Sequence, residues 1–249
     1  MAPSASVSSL ELVTDVARGI AAYGFLLVDG PAFRPDQACM LALDAFSQTW
    51  RDLPPDDYLP GNASYRLRRH ARFILNPDSG RLQWVQDAGY FQHPTVNPLT
   101  GGIVRRFAPL LDGQARNPFL QALILRNASI FSACTHAMPA AWEIDVHLIR
   151  ITARPGVPGR PSPEGKHRDG FDYIALHHIG RENVTGGCTK IYDIEGALLK
   201  FRTFTGRLDS LYADDSRILH DVTPVVLGPD GPTGHRDMLL MSFTGLSNS

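Results

Sequence analysis

The chain is poor in the features that mark several protein classes. It has 3 cysteines in 249 residues, Cys39, Cys134 and Cys188, an odd number at wide spacings. That argues against a disulfide framework or a zinc ribbon, and free thiols fit a reducing, cytoplasmic setting. Neither sign of charge dominates: 24 Lys and Arg face 25 Asp and Glu, for a formal net charge of −1. Without a global basic field there is no reason to expect nucleic acid or an acidic membrane surface as a partner. No uninterrupted apolar run approaches membrane-spanning length, since Asp145, His147 and Arg150 break the stretch from Ile144 to Ile151. The first residues, Met1 to Ser6, lack a basic segment and an apolar run, so no signal peptide is expected. Internal repeats and low-complexity tracts are also missing. What remains is an ordinary globular composition, 43% hydrophobic and 20% charged, long enough for a well-packed core.

The organisation changes along the chain. Apolar spacing predicts helices over Leu10 to Ala22, Pro35 to Trp50 and Pro118 to Met138. Short strands are expected over Phe25 to Val28, Tyr65 to Leu75 and Leu82 to Phe91. From Trp142 onward short β-rich runs alternate with Gly/Pro/Asp turns: Glu143 to Thr152, Gly170 to Gly180, Cys188 to Asp193, Asp209 to Tyr212, Ile218 to Val226 and Asp237 to Thr244. This pattern predicts a mainly β protein with flanking helices, built on a cupin-like jelly roll. A single unit over 1–249 is expected, with 1–140 as a mostly helical cover with supporting strands and 141–249 as the jelly-roll core that carries the site.

Within that core, His167-Arg168-Asp169 and the later His220 stand out. Two histidines and one carboxylate can hold one face of a divalent iron and leave the other open, the facial triad of non-heme Fe(II) oxygenases. Residues two apart share a face of a strand, so His167 and Asp169 can reach one ion, with His220 arriving from another strand. His177 and His178 are rivals: His177 shares parity with the pair, although a hydrogen-bonded core histidine is the simpler role. His147 and His235 read as structural or surface residues. Arg236 opens the last apolar strand and can bind a carboxylate through a two-pronged contact, as a two-acid cosubstrate would need. Ser242 and Thr244 share its parity and can assist.

The stretch from Pro163 to Tyr173 resembles the bacterial 2-oxoglutarate/Fe(II) dioxygenases that hydroxylate free amino acids, the L-isoleucine 4-hydroxylase type. Further matches are Arg181 to Gly187, Ile191-Tyr192-Asp193, His220 to Val225 and Gly234 to Asp237, covering roughly residues 145–245 in order; Tyr65 to Arg69 adds a weaker one. The resemblance implies a double-stranded β-helix. It also implies His167, Asp169 and His220 as Fe(II) ligands, and Arg236 as the anchor of the distal carboxylate of 2-oxoglutarate. It further implies O2-dependent hydroxylation of an unactivated C–H bond, with succinate and CO2 as coproducts. Many wider relatives carry a serine two residues after the arginine. Here Met238 stands there, so a second contact to that carboxylate must come from elsewhere.

A free, aliphatic L-amino acid is the expected substrate and the expected small-molecule partner. Its ammonium needs an acid, for which Glu164 is the candidate. Its carboxylate needs a cation such as Arg150, Arg66 or Arg69. Tyr173 shares parity with the triad and is a candidate for the cavity wall. Each has a structural alternative: a solvated loop, an ion pair, a polar surface cluster or a core tyrosine. Two other readings stay open, namely the same chemistry on a peptide, carrier-tethered or other small-acid substrate, and a non-catalytic jelly-roll sensor.

Overall fold

A computed structural model describes residues 9–59, 63–97, 99 and 101–247. The N-terminal residues on which the absence of a signal peptide was read lie outside them. In chain order the elements begin with β1 (Leu10–Leu12), α1 (Val16–Tyr23), β2 (Phe25–Val28), β3 (Phe33–Pro35) and α2 (Gln37–Gln48). Next come β4 (Arg66–Leu75), β5 (Leu82–Val85), β6 (Tyr90–Phe91), β7 (Val104–Arg105), α3 (Asp112–Ala115) and α4 (Pro118–Cys134). The second half holds β8 (Ala141–Ala153), β9 (Tyr173–Glu182), β10 (Val184–Gly186), β11 (Cys188–Tyr192) and β12 (Leu198–Thr203). It ends with β13 (Ser210–Asp214), β14 (Leu219–Val222), β15 (Val225–Leu227) and β16 (Gly234–Leu246).

Local chemistry sets the helix ends. The first helix begins after Asp15, whose carboxylate accepts the Arg18 amide at 3.0 Å, and it stops at Gly24 in the left-handed region (φ 81°). The helix expected from Leu10 is therefore shorter: Leu10–Leu12 pairs with Phe33–Pro35 as a ribbon instead. Asp36 caps α2 through the Cys39 amide at 2.7 Å. Asn117 caps α4 through the Phe119 amide at 2.9 Å, with Pro118 in the first turn, where its missing N–H costs nothing.

Seven strands form one sheet in the order β2-β13-β9-β16-β8-β4-β5, with every neighbouring pair antiparallel. Side chains alternate across it. From the three central strands, Ile144, Val146, Leu148, Tyr173, Ala175, Leu239, Met241 and Phe243 pack with Phe119, Leu120, Leu123, Ile124 and Phe131 of α4 in one core. Phe131 stacks on Tyr173 with ring centroids 4.8 Å apart, and its truncation to alanine is worth about 3–5 kcal/mol. The opposite face of the sheet meets a three-stranded sheet, β12-β11-β14, and the ribbon β10-β15. There Ile174, Leu176 and Leu211 pack on Ile191 and Ile218. Two antiparallel layers with helices outside the larger one make a double-stranded β-helix.

Three expected strands change shape. The run from Ile218 to Val226 breaks at Thr223-Pro224 into β14 and β15, because proline has no N–H for the ladder. The run from Leu82 to Phe91 splits around Asp87, whose φ is 53°. The strand expected from Gly170 starts at Tyr173. Among the described residues no helix is long and apolar enough to cross a membrane.

Candidate metal centre and its cavity

His167 and His220 meet as an isolated antiparallel bridge. The His167 amide donates to the His220 carbonyl at 3.0 Å, and the reverse bond is 2.9 Å. This places the two imidazoles side by side, centroids 4.5 Å apart. Asp169 completes the group: its Oδ1 lies 3.6 Å from His167 Nε2 and its Oδ2 lies 3.8 Å from His220 Nε2. All three candidate ligand atoms fall within 4.8 Å of one another. Atoms each about 2.1 Å from one ion would stand roughly 3–4 Å apart, so the spacing suits a single metal. His167 Nδ1 donates to the Gly165 carbonyl at 2.8 Å, which orients the ring with Nε2 toward Asp169. His220 Nδ1, by contrast, is buried without a hydrogen-bond partner.

Asp169 is held by a turn rather than by a strand. Asp215 accepts the amides of Asp169 (3.1 Å), Gly170 (2.7 Å) and Phe171 (3.1 Å), while Gln92 Nε2 donates to the Asp169 carbonyl at 2.9 Å. Gly170 sits at φ 85°, with Val96 within 2.9 Å of where a Cβ would stand. Strand parity therefore does not run from His167 through to β9, which corrects the placement of Tyr173 and leaves His177 in the core role that is the simpler one for it. Tyr173 lies in the helix-side core against Phe131, not on the cavity wall. His177 is likewise a core residue: Asn127 Nδ2 donates to its Nε2 at 2.9 Å, and its Nδ1 donates to Ser210 Oγ at 2.8 Å. His178 bonds the Gly206 carbonyl through Nδ1.

The three groups tune one another in the metal-free protein. Burial alone would raise the Asp169 pKa, but the hydrogen bond from His167 and the charges of His220, His167 and Arg68 hold it down at about 2. Burial alone would lower the His167 pKa, but the hydrogen bond to Asp169 and the charges of Asp169 and Glu164 raise it to about 9. Burial and the His167 charge push His220 down to about 4.

The centre opens into a cavity of about 1090 Å³, counting its mouth, between the two sheets. Arg236, Ser242 and Thr189 line it, and all three bring buried polar atoms without hydrogen-bond partners: Arg236 Nε, Ser242 Oγ and Thr189 Oγ1. Burial and the charge of Arg181 lower the Arg236 pKa to about 10, so it stays a cation at neutral pH. A buried cation with the orphaned Thr189 hydroxyl on the facing sheet fits an anionic ligand such as a carboxylate, whereas Ser242, six residues from Arg236 in β16, stands about 20 Å away along the strand. Gly187 leaves room for this arginine: a Cβ there would meet Arg236 Cδ at 3.0 Å. Thr244, expected beside them, pairs with Glu143 past the end of the cavity wall.

Glu164 does line the cavity, with Oε1 3.3 Å from His167 Nε2. Arg150 does not: both of its prongs hold Asp237, at 2.7 Å each, and β8 alternation turns it away. Arg69 also points out, to the Pro109 carbonyl, whereas Arg66 lines the cavity and pairs with Asp56 at 2.6 Å. The reading of the sequence missed Arg68, Tyr90, Gln92, Arg105 and His147, all on the wall. One signal was available for His147. Asp145, His147, Ile149 and Ile151 alternate with the apolar core positions of the same strand, so a polar residue there faces the cavity.

Comparison with known proteins agrees with this geometry. A family profile described as 2OG-Fe dioxygenase matches residues 47–242. The chain is 26% identical to the 3(1)-hydroxy-L-isoleucine 4-dioxygenase of Pantoea ananatis over 244 residues, covering 94% of this chain and 95% of that protein. It is 27% identical to the L-isoleucine-4-hydroxylase of Bacillus thuringiensis over 225 residues, covering 89% and 90%. Among solved structures, a bsmA homolog from Methylobium petroleophilum PM1 superposes with a TM-score of 0.80 at 32% identity, covering 94% of both chains.

Proposed function

Because the chain belongs to the 2OG-Fe dioxygenase family, whose chemistry uses Fe(II), 2-oxoglutarate and O2, we propose that it hydroxylates a free, aliphatic L-amino acid. One observation carries this reading: the His167, Asp169 and His220 ligand atoms converge within 4.8 Å at a cavity that also presents the buried cation Arg236. Two curated relatives, aligned over most of their length, are named for 4-hydroxylation of isoleucine or a hydroxyisoleucine.

His167, Asp169 and His220 would hold the iron. Iron, 2-oxoglutarate and O2 together supply the oxidation that inserts one oxygen atom into an unactivated C–H bond, leaving succinate and CO2. The chain's own groups do the rest. The Gly165 carbonyl keeps the His167 ring oriented, and Asp215 fixes the turn that presents Asp169. Arg236 would take the distal carboxylate of 2-oxoglutarate, with Thr189 supplying the hydroxyl contact that Met238 cannot. Glu164, on the cavity wall, would accept the substrate ammonium. Ile149, Leu240 and Met238 on the major sheet, with Val222 opposite, limit water at the reacting end. Three free cysteines suit a cytoplasmic enzyme.

Anaerobic reconstitution with Fe(II), followed by O2 and 2-oxoglutarate across a panel of free amino acids, tests this. The expected result is succinate that rises with one amino acid, a product heavier by one oxygen, and loss of both in His167→Ala. Succinate indifferent to every amino acid would move the substrate to a tethered or different acid. Bound metal and 2-oxoglutarate without succinate would favour a non-catalytic metal- and 2-oxoglutarate-binding sensor, and no binding of either would sink the enzyme reading.

A further inference from the structure

Away from the metal, the cavity wall carries a second polar constellation built by β4 and β8. Arg68 and His147 are buried there, at 7% and 3% exposure. Arg68 donates to His147 Nδ1 from both Nε (3.2 Å) and Nη2 (2.9 Å). A guanidinium has only donors, so His147 Nδ1 must be an unprotonated acceptor. The neutral ring then carries its proton on Nε2. That nitrogen is buried and has no hydrogen-bond partner, although the residue lines the cavity. The ring cannot turn away from this duty: it stacks on His70 at 4.6 Å and meets the Tyr90 edge at 4.6 Å. His70 is itself tied to Asp145 at 2.6 Å.

Arg68 is left short of a carboxylate. The nearby acid, Asp56, is engaged by Arg66 at 2.6 Å and lies 3.7 Å from Arg68 Nη1, beyond hydrogen-bond length. The Arg68 guanidinium lies 4.0 Å from the Phe107 ring centroid, which holds it flat. A buried N–H donor without a partner thus stands beside a buried cation whose nearby acid, Asp56, is shared with Arg66 and lies 3.7 Å away. Each costs stability when nothing is bound, and one group relieves both: a carboxylate, which accepts on two oxygens. An ammonium is excluded by the Arg68 charge.

We propose that Arg68 and His147 form the seat of the substrate carboxylate, Arg68 binding through its guanidinium and His147 donating from Nε2. The inference rests on the free-amino-acid reading above and adds to it the end by which the substrate is held. With the carboxylate on β4 and β8, the ammonium turns toward Glu164. The neutral state this requires of His147 agrees with its surroundings, since burial and the charges of Arg68, His70 and Arg105 push its pKa well below the ordinary value.

The test is equilibrium binding of L-isoleucine and of its primary amide, without oxygen, to protein loaded with Co(II) and 2-oxoglutarate. Wild type is expected to prefer the acid. Arg68→Gln should weaken binding of the acid on the order of 10- to 100-fold while changing the amide little, which collapses the preference. His147→Phe should do the same by about tenfold. Titration with 2-oxoglutarate identifies folded variants, and Arg68→Lys replaces Arg68→Gln if the latter does not fold. Equal losses for acid and amide, or an unchanged preference in folded variants, would overturn the carboxylate seat while leaving the hydroxylase reading intact. A wild type that binds and turns over no amino acid would instead remove the reading on which the seat depends.

Discussion

At the metal end of the cavity the working groups come from short stretches of chain. His167 and Asp169 share one tripeptide, and His220 joins them through a single bridge. At the β4–β8 wall, Arg68 and His147 are 79 residues apart and meet only because the two strands pair with His70 opposite His147. The metal end is acidic and mutually titrating, with Asp169 held low and His167 held high by each other. The β4–β8 wall is cationic and aromatic, and His147 is kept neutral. The contrast separates two jobs. Groups that grip an ion need fixed local spacing, whereas groups that recognise a substrate depend on the register of distant strands. Variants at one end should therefore leave the other end's binding intact.

The largest effect expected is at Arg236, the proposed cosubstrate anchor. Arg236→Met removes the buried cation and keeps the bulk. It should cost about 2–4 kcal/mol of 2-oxoglutarate affinity, roughly 30- to 1000-fold, with Co(II) affinity close to wild type. Titrating each ligand separately checks this. A Co(II) affinity that fell in parallel would mean that anchor and metal centre fold as one piece.

Next comes the turn beneath Asp169. Asp215→Asn keeps one acceptor but aims an NH2 group at backbone donors. Metal affinity should fall about 10- to 100-fold. An amino-acid binding loss larger than the metal loss would blur the separation of the two ends.

This contrast also explains what the sequence disclosed. His-x-Asp, the later histidine and the arginine opening the last strand are local patterns with a chemical reason for their spacing, and all four residues line one cavity. The jelly roll was legible from short strands and frequent turns, and the major sheet from apolar runs. Parity failed where a turn interrupts the strand. Asp215, far along the chain, holds 169–171 in a bend, so Tyr173 and His177 fall on the helix side. Arg150 failed because Asp237 lies opposite it across β8 and β16, a pairing no local pattern reveals. Arg68 and His147 were hidden for the same reason: one sits in an arginine cluster that reads as surface, the other in an apolar strand.

A smaller effect concerns protons. In the metal-free protein at neutral pH, Asp169 is already ionised and His220 already neutral, but His167, raised to about 9, carries a proton on the nitrogen that must meet the ion. Metal binding at pH 7 should release about one proton, and affinity should climb with pH until about 9. The same shift has a stability counterpart. A pKa raised above the ordinary histidine value of 6.5 stabilises the metal-free fold fully below 6.5, and that contribution is lost as pH rises through about 9. Co(II) calorimetry in buffers of different ionisation enthalpy counts the protons. A count near zero at pH 7 would show that the acidic neighbours do not protonate His167.

The last expected change tests whether Met238 has been compensated. Met238 leaves the carboxylate end without a side-chain hydroxyl at that position of β16. The opposite sheet offers Thr189, whose Oγ1 is buried and unpartnered beside the Arg236 cavity wall. Thr189→Val keeps the shape and removes only the donor. Because the Thr189 hydroxyl has no partner in the protein, its loss should leave the fold as stable as before, or slightly more so. If the hydroxyl binds the carboxylate, 2-oxoglutarate affinity should fall by about 1.5–3 kcal/mol, the range for a hydrogen bond to a charged group, or roughly 10- to 100-fold and below the Arg236→Met loss. Thermal unfolding measured with and without 2-oxoglutarate separates the two effects. Equal 2-oxoglutarate affinity in Thr189→Val and wild type would leave Arg236 to hold that carboxylate without a side-chain hydroxyl. The anchor would then belong to one strand rather than bridge the two sheets.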